Sequence, residues 1–183
     1  MFLIFGLGNP EKKYEETRHN IGSKVVDELR SSPHFATARV IDELGSFDLA
    51  DVILAKPATF MNESGKRVKS LIRYHALKAN NLIVLHDDLD IPLGEIRIAK
   101  DRGSAGHKGV DSVIKEMGTK DFVRFRVGVC PKAGKPANPE KFVLQKFNKE
   151  EGKIVEQAIE KTAEAIEFLL KEGLKKTMTK YNN

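Results

Sequence analysis

Four short stretches carry most of the side chains able to do chemistry: residues 6–22 (GLGNPEKKYEETRHNIG), 60–66 (FMNESGK), 86–90 (HDDLD) and 100–109 (KDRGSAGHKG). In the first, Asn9 and His19 are the polar side chains best placed to act. An imidazole titrates near neutral pH and serves as a general base. An amide N–H can stabilise an oxyanion or hold a peptide backbone. In the third stretch, three carboxylates and an imidazole follow an apolar run. Such a cluster can bind a divalent metal. Alternatively, one carboxylate orients and charges a histidine from another loop, as in a base–orienter pair. The second reading is preferred, because no second cluster has metal-ligand spacing. Asp87, the first carboxylate after the strand, is then the partner. No G-x-S-x-G elbow is present, and Ser23, Ser64 and Ser104 have no base beside them in sequence, which leaves water as the nucleophile.

The other two stretches read as binding loops. Asn62 is either an Asx-turn or N-cap residue for the next helix, or a ligand contact. Glycines 103, 106 and 109 let backbone approach a ligand, and the helix that follows presents free N–H groups. Flanked by Lys100, Arg102 and Lys108, that helix start suits a phosphate. No Walker pattern is present. GLGNP is not a dinucleotide fingerprint either, since Glu11 occupies the place of the third glycine.

The elements that must position these loops follow from periodicity. Residues 1–5 form a continuous apolar strand. Val25, Val26 and Leu29 recur at helical spacing until Ser31-Ser32-Pro33 stops them. Strands are expected at 36–41 and 51–56, the second ended by Pro57, and a helix at 64–77 with Val68, Leu71, Ile72 and His75 on one face. His75 reads as a partly buried residue at the edge of the core. The strand LIVL, 82–85, ends in HDDLD. Pro92 and Gly94 turn the chain into a strand at 95–99. Val110, Val113, Ile114 and Met117 mark a short helix closed by Gly118, and 125–129 is a further strand. A Pro/Gly/Lys loop spans 131–139. A long helix over 149–172 buries Ile154, Ala158, Ile159, Thr162, Ile166, Leu169 and Leu170 and ends at Gly173. The basic tail reads as a frayed turn.

Strands alternating with helices give an α/β class. The expected architecture is a single-domain sandwich over 1–183, with a twisted, mostly parallel mixed sheet flanked by helices. Antiparallel members are expected around residues 92–94 and before Pro57. The chain has 183 residues, 40% of them hydrophobic, which suits one globular domain. Its net charge of +5, from 31 basic and 26 acidic residues, favours a polyanionic partner. The single Cys130 excludes an intrachain disulfide and a cysteine zinc cage, and reads as a buried thiol. No signal-peptide pattern and no run long enough to span a bilayer is seen, so no membrane association is expected and the cytoplasm is the expected location.

In their order and spacing, GLGNP…Y…TRHNIG, PATFMNESG, HDDLDIPLGEIR and GSAGHKG resemble bacterial peptidyl-tRNA hydrolases over nearly the whole chain. That resemblance implies a cofactor-free and metal-free hydrolase that uses water to cleave the ester between a peptide and the 3′ end of tRNA. It implies His19 as general base, Asp87 as its partner, and Asn9 as the residue distinguishing N-blocked from free aminoacyl-tRNA. Tyr14, Phe60, Met61 and Asn62 are then substrate contacts. His107, Lys108, Lys100 and Arg102 join them on the substrate or tRNA. The expected partner is peptidyl-tRNA, bound by a monomer with no obligate protein partner. The competing reading is a non-catalytic RNA-binding relative of the same fold. One departure stands out: the family usually has GHNG where this chain has Gly106-His107-Lys108-Gly109, so an ammonium replaces an amide. The helix start after His19 is expected to disfavour the imidazolium, with Asp87 working against it.

Overall fold

The computed structural model describes residues 1–35, 39–41 and 52–182. A six-stranded sheet runs in the order β2-β3-β1-β4-β6-β5. Its strands are β1 Phe2–Gly6, β2 Arg39–Ile41, β3 Val52–Ala55, β4 Leu82–Pro92, β5 Ile96–Lys100 and β6 Val123–Cys130. All neighbours are parallel except β5, which runs antiparallel to β6. The mixed, mostly parallel sheet is therefore as the sequence pattern implies. The antiparallel member after the turn at 92–94 is β5. Its partner is β6, which lies between β4 and β5.

Two expectations about direction and length are corrected. The strand before Pro57, β3, is parallel to both its neighbours. Pro57 ends that strand but does not reverse the chain; the helix α2, Ser64–Tyr74, carries it back to start β4 in the same direction. The HDDLD motif is not a loop after the strand. β4 runs on through it, because β6 supplies a ladder partner at His86↔Arg126, Asp87↔Val127 and Asp88↔Gly128. Pairing thus overrides the poor strand propensity of the carboxylates. Of the strand expected at 36–41, β2 accounts for 39–41, and residues 36–38 lie outside the described residues.

The central strands are apolar without interruption because both faces are covered. On one face, Ile4, Leu54, Ile83 and Leu85 pack with α1, Ile21–Ser31, and α5, Lys149–Glu172. On the other, Leu3, Phe5, Ile53, Leu82 and Val84 pack with α2 and α3, Lys108–Met117. Alternate residues of one strand thus serve opposite layers, as the pleat requires.

The C-terminal half departs in detail from the expected pattern. Ile154 does not join the buried stripe of α5; it is 39% exposed, and Val155 begins the stripe at 3%. Ile154 instead covers the 92–95 turn, so closely that a Cβ at Gly94 would lie 2.4 Å from its Cγ2. Within 131–139 the chain reaches a short helix, α4, Pro139–Val143, capped by the Asn138 side chain. The tail is an ordered helix, α6, Leu174–Tyr181, with Thr177 and Tyr181 buried. It covers the β5 edge, where Asn182 exchanges two hydrogen bonds with the Ile98 backbone, at 2.7 and 2.9 Å. Cys130 is half-buried at the end of β6, not fully buried.

Candidate active site

The site forms where β1, β4 and the start of α3 meet. After β1 the chain crosses directly over the first turn of α1. Leu7 N–H donates to the Leu85 carbonyl at 2.9 Å, and Ser23 N–H to the Leu7 carbonyl at 3.1 Å. Only glycine fits at 22 in this crossing, since a Cβ there would lie 2.2 Å from the Leu85 oxygen.

The crossing brings Asn9 against Asn20. Asn9 N–H donates to Asn20 Oδ1, and Asn20 Nδ2 donates to the Asn9 carbonyl, both at 2.9 Å. The Met61 N–H donates to Asn9 Oδ1 at 2.9 Å. The acceptor end of the Asn9 amide is thus fixed, while its Nδ2 has no hydrogen bond among the described residues, and Asn9 lines the cleft.

His19 lies in the 3-10 turn Arg18–Asn20 that leads into α1. Its Nδ1 is 2.9 and 3.1 Å from the Asp87 carboxylate oxygens. A carboxylate accepts, so Nδ1 carries the hydrogen and Nε2 is the basic nitrogen. The turn is anchored by Arg18, which is buried. The Arg18 guanidinium donates to the carbonyls of Gln145 and Lys146, pairs with Glu151 at 2.7 Å, and lies over the Phe142 ring. Asp87 receives a second donor from α3: His107 Nε2 is 2.9 Å from Oδ1. His107 Nδ1 accepts from the N–H groups of Gly109 and Val110, as the N-cap of α3. Behind them, His86 Nδ1 donates to the Asp87 backbone carbonyl at 2.7 Å.

The electrostatics follow from burial and these contacts. Burial opposes ionisation of Asp87, but the two histidines outweigh it and hold the carboxyl far below the usual range. For His19 burial is again the largest single effect, favouring the neutral ring. The charge and hydrogen bond of Asp87 together exceed it, and the His19 value is raised above 6.5; Lys108 partly offsets that rise. The carboxylate therefore prevails over burial and Lys108. His86, fully buried, is pushed well below 6.5, first by burial and then by His107.

A cleft of about 700 Å³ opens over these groups. It gathers eight of the residues expected from sequence: Asn9, His19, Phe60, Met61, Asn62, Asp87, His107 and Lys108. Asn62 is exposed there and is not a helix cap; Glu63 precedes α2, with no side-chain cap bond. Leu89, Val143 and Leu144 add an apolar wall. Tyr14, Lys100 and Arg102 do not line the cleft. Tyr14 is half-buried in the turn Lys12–Tyr14, and Lys100 pairs with Asp121 at 2.9 Å. Lys108 pairs with Glu140 at 2.9 Å, a link from the start of α3 to α4. His107, expected among the substrate contacts, lines the cleft but has both ring nitrogens engaged inside the protein.

The other HDDLD side chains turn to separate partners: Asp88 to Arg126 at 2.8 Å and Asp90 to Lys135 at 2.6 Å. They do not converge on a metal position. Among the described residues, His19, Asp87 and His107 have ligand-type atoms within 4.8 Å of one another. The acceptor role of His107 Nδ1 puts the ring hydrogen on Nε2, the atom that a metal would need bare, and Asp87 already takes two N–H donors. This set suits proton handling rather than coordination.

Comparison with known proteins decides the family. The family model described as peptidyl-tRNA hydrolase matches residues 3–183. The chain belongs to the peptidyl-tRNA hydrolase family. The peptidyl-tRNA hydrolase of Geotalea daltonii is 42% identical over 188 residues, covering 99% of this chain and 96% of the relative. That of Aquifex aeolicus is 42% identical over 171 residues, covering 90% and 87%. The crystal structure of peptidyl-tRNA hydrolase from Acinetobacter baumannii superposes with a TM-score of 0.86 at 27% identity, over 100% of this chain and 94% of that one. A second crystal structure, a peptidyl-tRNA hydrolase in complex with N-propanol, gives 0.85 at 28% identity.

For this member of the peptidyl-tRNA hydrolase family, three positioning residues escaped the sequence reading. Asn20 was visible beside His19 but not as the partner of Asn9, eleven residues away. Arg18 reaches Glu151, and Arg126 reaches Asp88, through contacts that no local pattern encodes.

Proposed function

We propose that this protein hydrolyses the ester between a peptide and the tRNA 3′ end in peptidyl-tRNA, freeing the tRNA for reuse. The observation that carries this reading is the buried His19–Asp87 contact at 2.9 Å, with His19 Nε2 left basic beside the free Asn9 amide. In the reaction, His19 Nε2 takes a proton from a water in the cleft as its oxygen attacks the ester carbonyl. Asp87 stabilises the imidazolium that forms and keeps Nδ1–H in place. Asn9 Nδ2 donates to the developing oxyanion or to the peptide next to the ester. His19 then returns its proton to the leaving 3′ oxygen of the tRNA.

Phe60, Met61 and Asn62 contact the acyl side, and the apolar wall accepts varied peptide side chains without selecting one. Tyr14, Lys100, Arg102 and Lys108 contact the tRNA side. Basic side chains meeting sugar-phosphate hold a nucleic acid without reading its sequence, which suits an enzyme serving many tRNAs. No cofactor or metal enters the scheme. The reading includes one domain over 1–183, supported by two apolar layers that share one sheet. It also includes a monomer acting in the cytoplasm without an obligate protein partner. Among the described residues, no helix is long and apolar enough to cross a membrane. A non-catalytic RNA-binding relative is disfavoured, because such a protein has no use for a buried, charge-balanced base.

The test is substrate discrimination. Purified protein is expected to release N-acetyl-amino acid from N-acetyl-aminoacyl-tRNA and to leave free aminoacyl-tRNA intact. Binding of tRNA without release of either acyl group would favour the RNA-binding alternative.

A further inference from the structure

We propose that His107 is a positioning residue that links the N-terminus of α3 to Asp87, fixing that carboxylate so that it presents His19 in its working tautomer. The proposal rests on the reading of His19 as the base. Its starting point is the direction of three hydrogen bonds. The Gly109 and Val110 N–H groups donate to His107 Nδ1 at 3.1 and 3.3 Å. A ring nitrogen that accepts carries no hydrogen, so the hydrogen of the neutral ring is on Nε2. Nε2 then donates to Asp87 Oδ1 at 2.9 Å, the same oxygen that accepts from His19 Nδ1 at 2.9 Å.

The opposite tautomer would set three hydrogens together at the helix start and leave the Asp87 oxygen facing a lone pair. The helix therefore selects the tautomer, and the tautomer serves the carboxylate. The first N–H groups of a helix carry partial positive charge. Donated into Nδ1, they polarise the ring and strengthen the Nε2–H bond to the anion, because hydrogen bonds in a chain reinforce one another. Asp87 can thus remain ionised in a buried place, where its side chain is 3% exposed.

The ring packs against two other histidines. It lies between His19, 4.7 Å away at 39°, and His86, 4.8 Å away at 69°. His86 is itself tied to the Asp87 carbonyl. The first turn of α3 lies close against this group: a Cβ at Gly109 would lie 2.4 Å from Met61 Sδ and 3.2 Å from His107 Cε1. His107 therefore acts on the reaction through Asp87, not on the substrate.

The titratable and charged groups around the His19 ring are Asp87 from β4, His107 at the N-cap of α3 and Lys108 in its first turn, with His86 of β4 behind His107. A His107→Asn variant keeps a good N-cap for α3 but is too short to donate to Asp87. Asp87, His86 and Lys108 stay in place. A carboxylate with one donor fewer holds the His19 proton more strongly. His107→Asn is therefore expected to fold and to bind tRNA as wild type does. Its kcat should fall about 10–100-fold, the worth of one charge-assisted hydrogen bond. The acid limb of its kcat/KM profile should move to higher pH. His107→Gln, whose longer amide reaches toward Asp87, should recover part of kcat.

Independently of activity, 15N-imidazole NMR of the wild-type protein should show His107 with its hydrogen on Nε2. The Nδ1–H tautomer would overturn the proposal. So would an unmoved acid limb in His107→Asn; with kcat unchanged as well, His107 would be a helix cap and nothing more. Failure of the base reading is separately visible as wild-type kcat in His19→Ala.

Discussion

Replacing Asp87 by Asn removes the charge beside the base and leaves the shape nearly unchanged. His19 Nδ1 lies 2.9 Å from the nearer carboxylate oxygen, which puts the centres of charge of imidazolium and carboxylate about 4 Å apart. At an effective permittivity of about 20, that attraction is worth about 4 kcal/mol. The substituted amide would keep a carbonyl to accept from a histidine, so roughly half of that stabilisation is lost in the transition state. About 2 kcal/mol corresponds to a fall in kcat of roughly 30-fold. The amide also places N–H groups near His19 Nδ1, favouring the tautomer with no base at Nε2, so the loss falls on kcat rather than KM. The pH profile gives a second reading. In the wild type, Asp87 raises His19 above 6.5 against burial and Lys108. Without the charge those two remain, and the acid limb should move below 6.5. The assay is single-turnover release from N-acetyl-aminoacyl-tRNA across pH 5–9, with thermal unfolding as a control on folding. A folded Asp87→Asn protein with wild-type kcat and an acid limb still above 6.5 would refute the reasoning.

Lys108→Ala breaks an exposed pair with Glu140, so thermal stability should change by less than about 1 kcal/mol. Its acid limb should move up, because Lys108 holds the His19 value down. If Lys108 meets a tRNA phosphate, its loss should also flatten the slope of log affinity against log salt by about 0.7–0.9; parallel salt titrations would exclude that contact. Asn9→Ala removes both the amide at the cleft and the acceptor of the Met61 N–H. It should lower kcat about 10²-fold and narrow the ratio of rates on N-blocked and free aminoacyl-tRNA; an unchanged ratio would take discrimination away from Asn9. Stability should also carry the sign of the two shifts. The depressed Asp87 value contributes stability that is present above the unfolded pKa of 3.8 and lost as pH falls through the folded value. The raised His19 value contributes stability that is present below 6.5 and lost as pH rises through its folded value. Denaturant midpoints of wild type and Asp87→Asn between pH 2 and 8 would check the first: the variant should lack that component of the acid decline.

The parts of this protein written in local patterns could be read directly. The apolar period over 149–172 and the stop at Gly173 mark a helix, and the structure places one over the same span. The four loop motifs named the cleft because each holds its polar residues in one short run. What could not be read lies in contacts between distant segments. HDDLD looked like a loop because carboxylates seldom sit in a strand, yet pairing with β6 extends β4 through it. Ile154 fits the apolar period of α5, but the neighbouring 92–95 turn draws it out of the core stripe. The two nitrogens of His107 are committed by a helix start on one side and a strand on the other, so its place beside Asp87 needed the packing of α3. Tyr14, Lys100 and Arg102 share motifs with cleft residues but lie outside its lining, since proximity in sequence does not set the direction of a side chain.

The central claim is that His19 is the base of an ester hydrolysis. The most direct measurement is the single-turnover rate of N-acetyl-amino acid release by His19→Ala, alongside its affinity for the same tRNA. The account predicts unchanged affinity and a rate lower by about 10³–10⁴-fold, the upper range for a general base in a buried site. Release by His19→Ala at the wild-type rate would contradict it.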